Sequence, residues 1–401
     1  MNDTIKIDYV ANPQARDGNP TKADTTNFSA EIATSVQNFH RRFEGYKPSP
    51  LVSLKDLALS LGVAAISIKD ESNRLGLDAF KVLGASHAMG KFLADRLDTR
   101  LDQLSFDATG LAKLKARLGE CTFVTATDGN HGRAVAWAAR QLDQRAVIYL
   151  PSGSAAARVT AIRSLGAEAS VTDVNYDDSV RHAAAMAKQH DWILLQDTAW
   201  RGYGQIPLWI MQGYLTMYVE ALEQLDGDRP THVFIQAGVG SLASSLQAYL
   251  RECYGDDCPI VAVVEPTNAA CFYHSVKAIS GEPETVRGEL ETIMAGLAAG
   301  RPNRLAWPII RDYSNYFFAC SDSVAVRGMR LLAHPVGNDP SIVSGEAGAV
   351  TTGLVACLCE GNQYRGIASD IGISPNSKIL LFSTEGATDP DSYQRLVTQA
   401  S

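Results

Sequence analysis

The stretch Thr231–Leu242, THVFIQAGVGSL, runs from an apolar segment straight into Gly238-Val239-Gly240-Ser241 and on into a small-residue helical pattern. The short apolar run His232–Gln236, closed by the glycine turn, reads as a buried strand, and the Ala/Ser/Leu run behind it as a helix. The turn between them sets free backbone N–H groups and the positive end of a helix around a concavity, which suits a phosphate. Two other readings stand beside that one. Gly238, Gly240 and Ala243 also satisfy G-x-G-x-x-G/A, and the next strand ends in Glu265, where a dinucleotide fold keeps its ribose acid. A tight strand-to-helix turn without any ligand is the third.

The same strand, loop and helix alternation recurs outward from this stretch. Ala65–Lys69, Cys121–Ala126, Ala146–Leu150, Ala169–Val174, Ile260–Val264 and Lys378–Ser383 read as further buried strands. Ala134–Gln141, Ser154–Leu165, Asp178–His190 and Leu242–Arg251 read as helices. The class is therefore α/β, with parallel βαβ units. The segment up to Asn27, Asp226–Pro230 and Gly361–Pro375 read as loops, and there is no internal repeat. A chain of 401 residues with 46% hydrophobic content exceeds what one core usually holds, so two domains are expected.

A net charge of −8, without any block of like charges, argues against nucleic acid or an anionic membrane as partner and leaves a small molecule. The seven cysteines form neither a disulfide framework nor metal-spaced pairs; Cys357 and Cys359 sit in an apolar helix-like run. No metal is expected. The polar amino terminus lacks an apolar targeting core, and no stretch is long and apolar enough to span a bilayer, so a cytoplasmic location is expected.

A second segment, Lys69 to Ala85, leads from a strand through a polar loop to a single lysine, Lys81, at the start of a small-residue helix. Most lysines are solvated surface amines. Flanked by Ala79-Phe80 and Val82-Leu83, Lys81 is placed to be partly desolvated, which favours the neutral, nucleophilic amine. A third segment, Thr125 to Arg133, again follows a strand and opens a helix. Its glycines permit close approach to a flat ligand, and Asn130 offers a donor and an acceptor, although it also suits a plain helix cap.

Together these segments resemble the pyridoxal-phosphate enzymes that include threonine dehydratase, serine racemase, cysteine synthase and the tryptophan synthase β chain. The resemblance runs in the family's order from about Tyr46 to the Gly386 region. It rests on Pro48-Ser49-Pro50-Leu51, on Lys69-Asp70-Glu71-Ser72 with Phe80-Lys81, on Asp128-Gly129-Asn130-His131-Gly132, and on Gly238, Val239, Gly240, Ser241 and Leu242. By that resemblance Lys81 holds the cofactor's aldehyde with Phe80 beside it, Asn130 meets the 3-hydroxyl, and the Gly238–Leu242 loop binds the phosphate. Ser383 or Thr384 would face the pyridine nitrogen, and a neutral hydroxyl there suits β-elimination. The resemblance further implies two domains, 1–84 plus 196–401 and an inserted 85–195, each a mainly parallel twisted sheet covered by helices, with pyridoxal 5'-phosphate in the interdomain cleft. A homodimer is also implied.

Two departures narrow the substrate. Asp128 stands where the dehydratases carry a serine, and Gln196-Asp197-Thr198-Ala199-Trp200 supplies a second acid after a strand. With Asn175 to Asp178, Gly202-Tyr203, Ile206-Pro207, Trp209 to Tyr214 and Ser344 to Gly348, these look like the branch of the family that eliminates ammonia from 2,3-diaminopropionate to leave pyruvate. The chemistry agrees, because a substrate with a second cationic amine needs a nearby carboxylate, and expelling that amine needs an acid. Asp128 and Asp197 are the candidates, although each also suits a cap or loop aspartate. Bases on opposite faces, Lys81 and Asp128, would admit both enantiomers. His131, Cys121 and His87 have no required role. A serine or threonine dehydratase is the same-class alternative, and a nucleotide-dependent dehydrogenase built on Gly238–Ala243 and Glu265 the remote one. A cofactor-binding protein without catalysis is a third, disfavoured because every catalytic position is filled.

Overall fold

A computed structural model describes residues 4–16, 22–127, 129–278 and 280–398. The chain forms two compact units, one of Met1–Ala30, Pro48–Asn73 and Met217–Ser401, the other of Glu31–Lys47 and Arg74–Thr216.

The larger unit is built on a seven-stranded sheet. In chain order its strands are β1 (Ile7–Ala11), β2 (Leu51–Ser53), β3 (Ala65–Asp70), β8 (His232–Gln236), β9 (Ile260–Pro266), β10 (Tyr316–Cys320) and β11 (Lys378–Ser383), and the smaller unit contributes β4 to β7. The sheet order is β1-β10-β9-β8-β11-β3-β2. From β10 to β3 the pairing is parallel, and antiparallel β1 and β2 close the two edges. Every residue of β8 and β10 is buried, as expected of parallel strands covered on both faces. Phe234, Phe318, Leu381 and Val350 share one core, each fully buried side chain contributing about 1.5–3 kcal/mol.

The smaller unit carries four parallel strands in the order β6-β5-β4-β7, namely Glu168–Val171, Arg145–Leu150, Thr122–Ala126 and Ile193–Leu194. The helix Lys81–Arg96 packs here against Gln205–Gly213. A Cβ on Gly84 would stand 2.6 Å from the Tyr214 ring, and one on Gly213 would stand 2.4 Å from the Leu83 carbonyl oxygen. Glycine at both positions is what lets the helices approach.

The mainly parallel, helix-covered sheets agree with the α/β expectation. The compact units differ from the expected division of 1–84 plus 196–401 against 85–195. Glu31–Lys47, 74–84 and 196–216 fall in the smaller unit instead of the larger, and the helices Lys81–Arg96 and Gln205–Gly213 pack against each other there. Two expected loops also contain regular structure. Ile7–Ala11 pairs with β10 across some three hundred residues, a partner no local pattern reveals, and Arg365–Asp370 within 361–375 is a short helix. Among the described residues no helix is long and apolar enough to cross a membrane, and no group of His, Cys, Asp and Glu has the geometry of a metal site.

Candidate active site

In the smaller unit Lys81 is the first residue of its helix, with Phe80 as the residue before it. Phe80 is buried and its ring lies 4.7 Å from that of Tyr214. The apolar flanks shield Lys81, whose side chain is 20% exposed, and its Nζ stands 2.8 Å from Asp197 Oδ2. The contact is an ion pair with Asp197, a partner that the flanking residues alone do not reveal. Burial pushes the Asp197 carboxyl up, but Lys81 and His131 outweigh it and bring the group down to about 2.

Asp197 is held by a scaffold that the motifs do not reveal. The buried Gln196 accepts from Thr125 Oγ1 at 2.8 Å and from the Ala126 N–H at 3.2 Å, and donates to Tyr176 Oη at 3.1 Å. Tyr203 Oη accepts the Gln196 N–H at 2.8 Å and donates to the Leu194 carbonyl at 2.9 Å. The end of β7 is thereby tied to β4 on one side and to the Trp200–Tyr203 turn on the other. His131 Nε2 lies 2.8 Å from the Leu195 carbonyl in the same region. A Gln-Asp pair after a buried strand was the available signal for Asp197; nothing local marked Gln196 or Tyr203 as its supports.

Asn130 opens the helix Asn130–Gln141 just beyond β4, where Gly129 N–H donates to Thr127 Oγ1 at 3.0 Å. Asp128 lies outside the described residues. His87 is buried, its Nδ1 2.7 Å from the Trp209 carbonyl, and burial drops it to about 4. Cys121 is a thiol pushed upward by burial. Neither is drawn to Lys81.

In the larger unit the remaining candidates sit past the carboxyl ends of adjacent parallel strands, where open α/β sheets bind ligands. Gly238 to Ser241 follow β8, and the helix Ser241–Tyr254 starts immediately after. Gly240 has a φ of +91°, a left-handed conformation that disfavours a side chain. Asn303 braces the loop, its N–H donating to the Val239 carbonyl and its Nδ2 to Ser241 Oγ, both at 2.8 Å.

Ser383 and Thr384 are both buried at the end of β11, and they differ in where their protons go. Ser383 Oγ donates to Ser344 Oγ at 2.8 Å. Thr384 Oγ1 accepts from Gln236 Nε2 at 2.8 Å, which leaves its own proton to donate elsewhere. Gln236 Oε1 is buried without a hydrogen-bond partner among the described residues. A buried acceptor without a partner and a hydroxyl with a proton to give, beside a glycine loop at a helix start, fit a flat polar molecule with a phosphate. Glu265 does not point to a ribose: both its oxygens accept backbone N–H groups of Phe272 and Tyr273. That removes the acid on which the dinucleotide reading depends.

Comparison with known proteins converges on the same chemistry. Residues 42–367 match the family described as pyridoxal-phosphate dependent enzyme. A diaminopropionate ammonia-lyase of Salmonella typhimurium is 47% identical over 94% of each chain, and one of Escherichia coli is 48% identical over 92% of each. The crystal structure of the Escherichia coli ammonia-lyase in complex with an aminoacrylate-PLP azomethine reaction intermediate superposes with a TM-score of 0.90 at 44% identity, over 98% of this chain and 97% of that one. With a lysine at a helix start, a glycine loop after β8 and this likeness over nearly its whole length, the chain belongs to the pyridoxal-phosphate-dependent enzyme family.

Proposed function

We propose that the protein is a pyridoxal-phosphate-dependent ammonia-lyase that converts 2,3-diaminopropionate to pyruvate and two molecules of ammonia. Bound cofactor supplies an electron sink that makes the substrate's α-proton acidic. Lys81 would hold the cofactor's aldehyde carbon, the Gly238–Leu242 loop its phosphate, Asn130 its 3-hydroxyl and Thr384 its pyridine nitrogen. Thr384 is preferred to Ser383 because the Ser383 proton is already given to Ser344. A neutral donor leaves the ring nitrogen uncharged, which favours elimination over longer-lived carbanion chemistry.

The observation that carries the choice of an amine leaving group is the Lys81–Asp197 pair. Asp197 is a buried anion that already binds one ammonium at 2.8 Å. Once the Lys81 nitrogen is engaged by the aldehyde, the substrate's β-ammonium can take the place of the lysine's; a β-hydroxyl can donate one hydrogen bond to the carboxylate but forms no ion pair with it. The Lys81 amine, freed by substrate, takes the α-proton, and the C–N bond at Cβ breaks as the β-ammonium, already protonated, leaves as neutral ammonia. Water then hydrolyses the released enamine to pyruvate and the second ammonia. Asp128 is the further candidate for base or acid, and it would serve the enantiomer whose α-proton faces away from Lys81.

Steady-state pyruvate formation from L- and D-diaminopropionate, serine and threonine tests this reading. Diaminopropionate is expected to be the best substrate by kcat/KM. Faster turnover of serine or threonine would replace the reading with a dehydratase.

A further inference from the structure

Glu265 ends β9 with no exposed surface, and a buried carboxyl needs partners. Its partners are the first turn of the helix Cys271–Lys277: Oε1 accepts the Phe272 N–H at 2.8 Å and Oε2 the Tyr273 N–H at 2.7 Å. That same turn reaches the glycine loop twice. A Cβ built on Gly240 would lie 2.3 Å from Phe272 Cζ, so the fully buried phenyl ring is packed directly under Gly240. Cys271 Sγ lies 3.9 Å from the Gly238 carbonyl oxygen.

We infer that Glu265 is a positioning residue for the cofactor's phosphate: by clamping residues 271–273 it holds Phe272 beneath Gly240 and keeps the loop N–H groups aimed at a phosphate monoester. The inference rests on the reading that Gly238–Leu242 binds the phosphate. The requirement is for an acceptor with two oxygens, since two adjacent N–H groups must both be satisfied. It is also for an acceptor that carries little charge close to a phosphate. Burial meets that second need by pushing Glu265 up to about 8 despite its two N–H bonds. The titratable groups beside it are Cys271, on the clamped turn, and Cys320, on β10, and burial holds both well above the ordinary thiol range. Around neutral pH Glu265 is then mostly uncharged, and its ionisation near pH 8 adds a negative charge behind the loop.

The test compares pyridoxal 5'-phosphate with pyridoxal, which lacks the phosphate, as ligands of the full chain stripped of cofactor. The readout is the ratio of the two affinities, in which the chemistry at Lys81 cancels. Glu265→Gln keeps the side chain neutral and nearly isosteric but turns an N–H₂ toward one of the two N–H donors, and the ratio is expected to fall about tenfold at pH 7. The ratio in the unaltered chain should decline as pH rises through about 8, and Glu265→Gln should flatten that decline. An unchanged ratio, or equal losses for both ligands, would overturn the inference. Should Glu265→Gln fail to fold, Phe272→Leu decides, with a several-fold lower ratio supporting the clamp and an unchanged one refuting it. Gly240→Asp separates the two layers of the argument. If it leaves the ratio intact, the phosphate loop itself is misassigned; if it collapses the ratio while Glu265→Gln does not alter it, only the clamp fails.

Discussion

Each unit contains a lysine paired with a carboxylate at 2.8 Å, and the two pairs have opposite characters. In the larger unit Lys69 and Glu220 are both fully buried. Lys69 Nζ also donates to the Ser49 carbonyl at 2.6 Å and to Gln224 Oε1 at 2.7 Å, so its three protons have three acceptors. Glu220 in turn accepts the Ser49 N–H at 3.1 Å, and Glu71 accepts from Ser49 Oγ at 2.5 Å. In the smaller unit the Lys81 side chain is 20% exposed and its partner Asp197 9%, so this pair is not sealed. Identical chemistry at identical distance is thus sealed in one unit and open in the other, and on the proposed reading only the open pair is reactive. Both lysines lie in the same short motif, Lys69 inside a strand and Lys81 at the start of a helix, and their burial differs accordingly.

Exchanging roles between the pairs is the sharpest way to break this comparison. Lys81→Ala is expected to abolish the borohydride-reducible link to the cofactor and to lower turnover by several orders of magnitude, because no other amine stands at the start of that helix. Lys69→Met should leave the cofactor link intact while removing about 3–5 kcal/mol of stability, the usual consequence of stripping one partner from a sealed ion pair. Absorbance after borohydride treatment and thermal unfolding of both variants decide the matter. A persistent reducible link in Lys81→Ala would show that the open pair is not the reactive one. An unchanged Tm in Lys69→Met would show that the sealed pair is not structural.

Asp128 sharpens the comparison at the level of substrate. On the proposed reading, a carboxylate in place of the dehydratases' serine would offer the substrate's β-ammonium a charge-assisted contact worth roughly 1.5–3 kcal/mol, or about one to two orders of magnitude in selectivity. Asp128→Ser should therefore depress diaminopropionate turnover far more than serine turnover, and more steeply for the D enantiomer if Lys81 is the base for the L form. Measured kcat/KM values that fall equally for all three substrates would reduce Asp128 to a turn residue.

What the sequence discloses follows from how local each feature is. His232–Gln236 and Lys378–Ser383 are legible to the residue because each is one apolar run closed by a polar or glycine turn. The aromatic run Tyr316–Cys320 and the edge strand Ile7–Ala11 are not, since the pairing of one defines the other across the chain. In the site, glycines and a single lysine at a helix start announce themselves by type and order. The Gln196 and Tyr203 supports and the Glu265 clamp do not, because a buried polar side chain is recognised by its partners, and those come from distant segments. Glu265 illustrates the hazard: the same position at a strand end suits a ribose acid or a helix clamp, and only the direction of its oxygens chooses.

The smallest expected effect is an acid titration that belongs to the open pair. Asp197 is lowered from its ordinary 3.8 to about 2, its burial outweighed by the Lys81 and His131 charges. A depressed carboxyl is a stability contribution that is complete above the unfolded value near 3.8 and disappears as pH falls from there through about 2. At 1.36 kcal/mol per pKa unit the contribution is about 2 kcal/mol, an order of magnitude that suits a mostly buried group. Asp197→Asn removes the titrating group and should lose that much stability at pH 6, while the gap between variant and parent closes toward pH 2. Denaturant unfolding of the cofactor-stripped chain at a series of pH values measures it. Cofactor should alter the result in a telling direction: once the Lys81 nitrogen is engaged, the ammonium that holds Asp197 down is gone, and the acid-side step should move up in pH. A step that stays in place on loading the cofactor would mean that Lys81 and Asp197 remain a pair throughout, leaving Asp197 unable to receive the substrate's second amine.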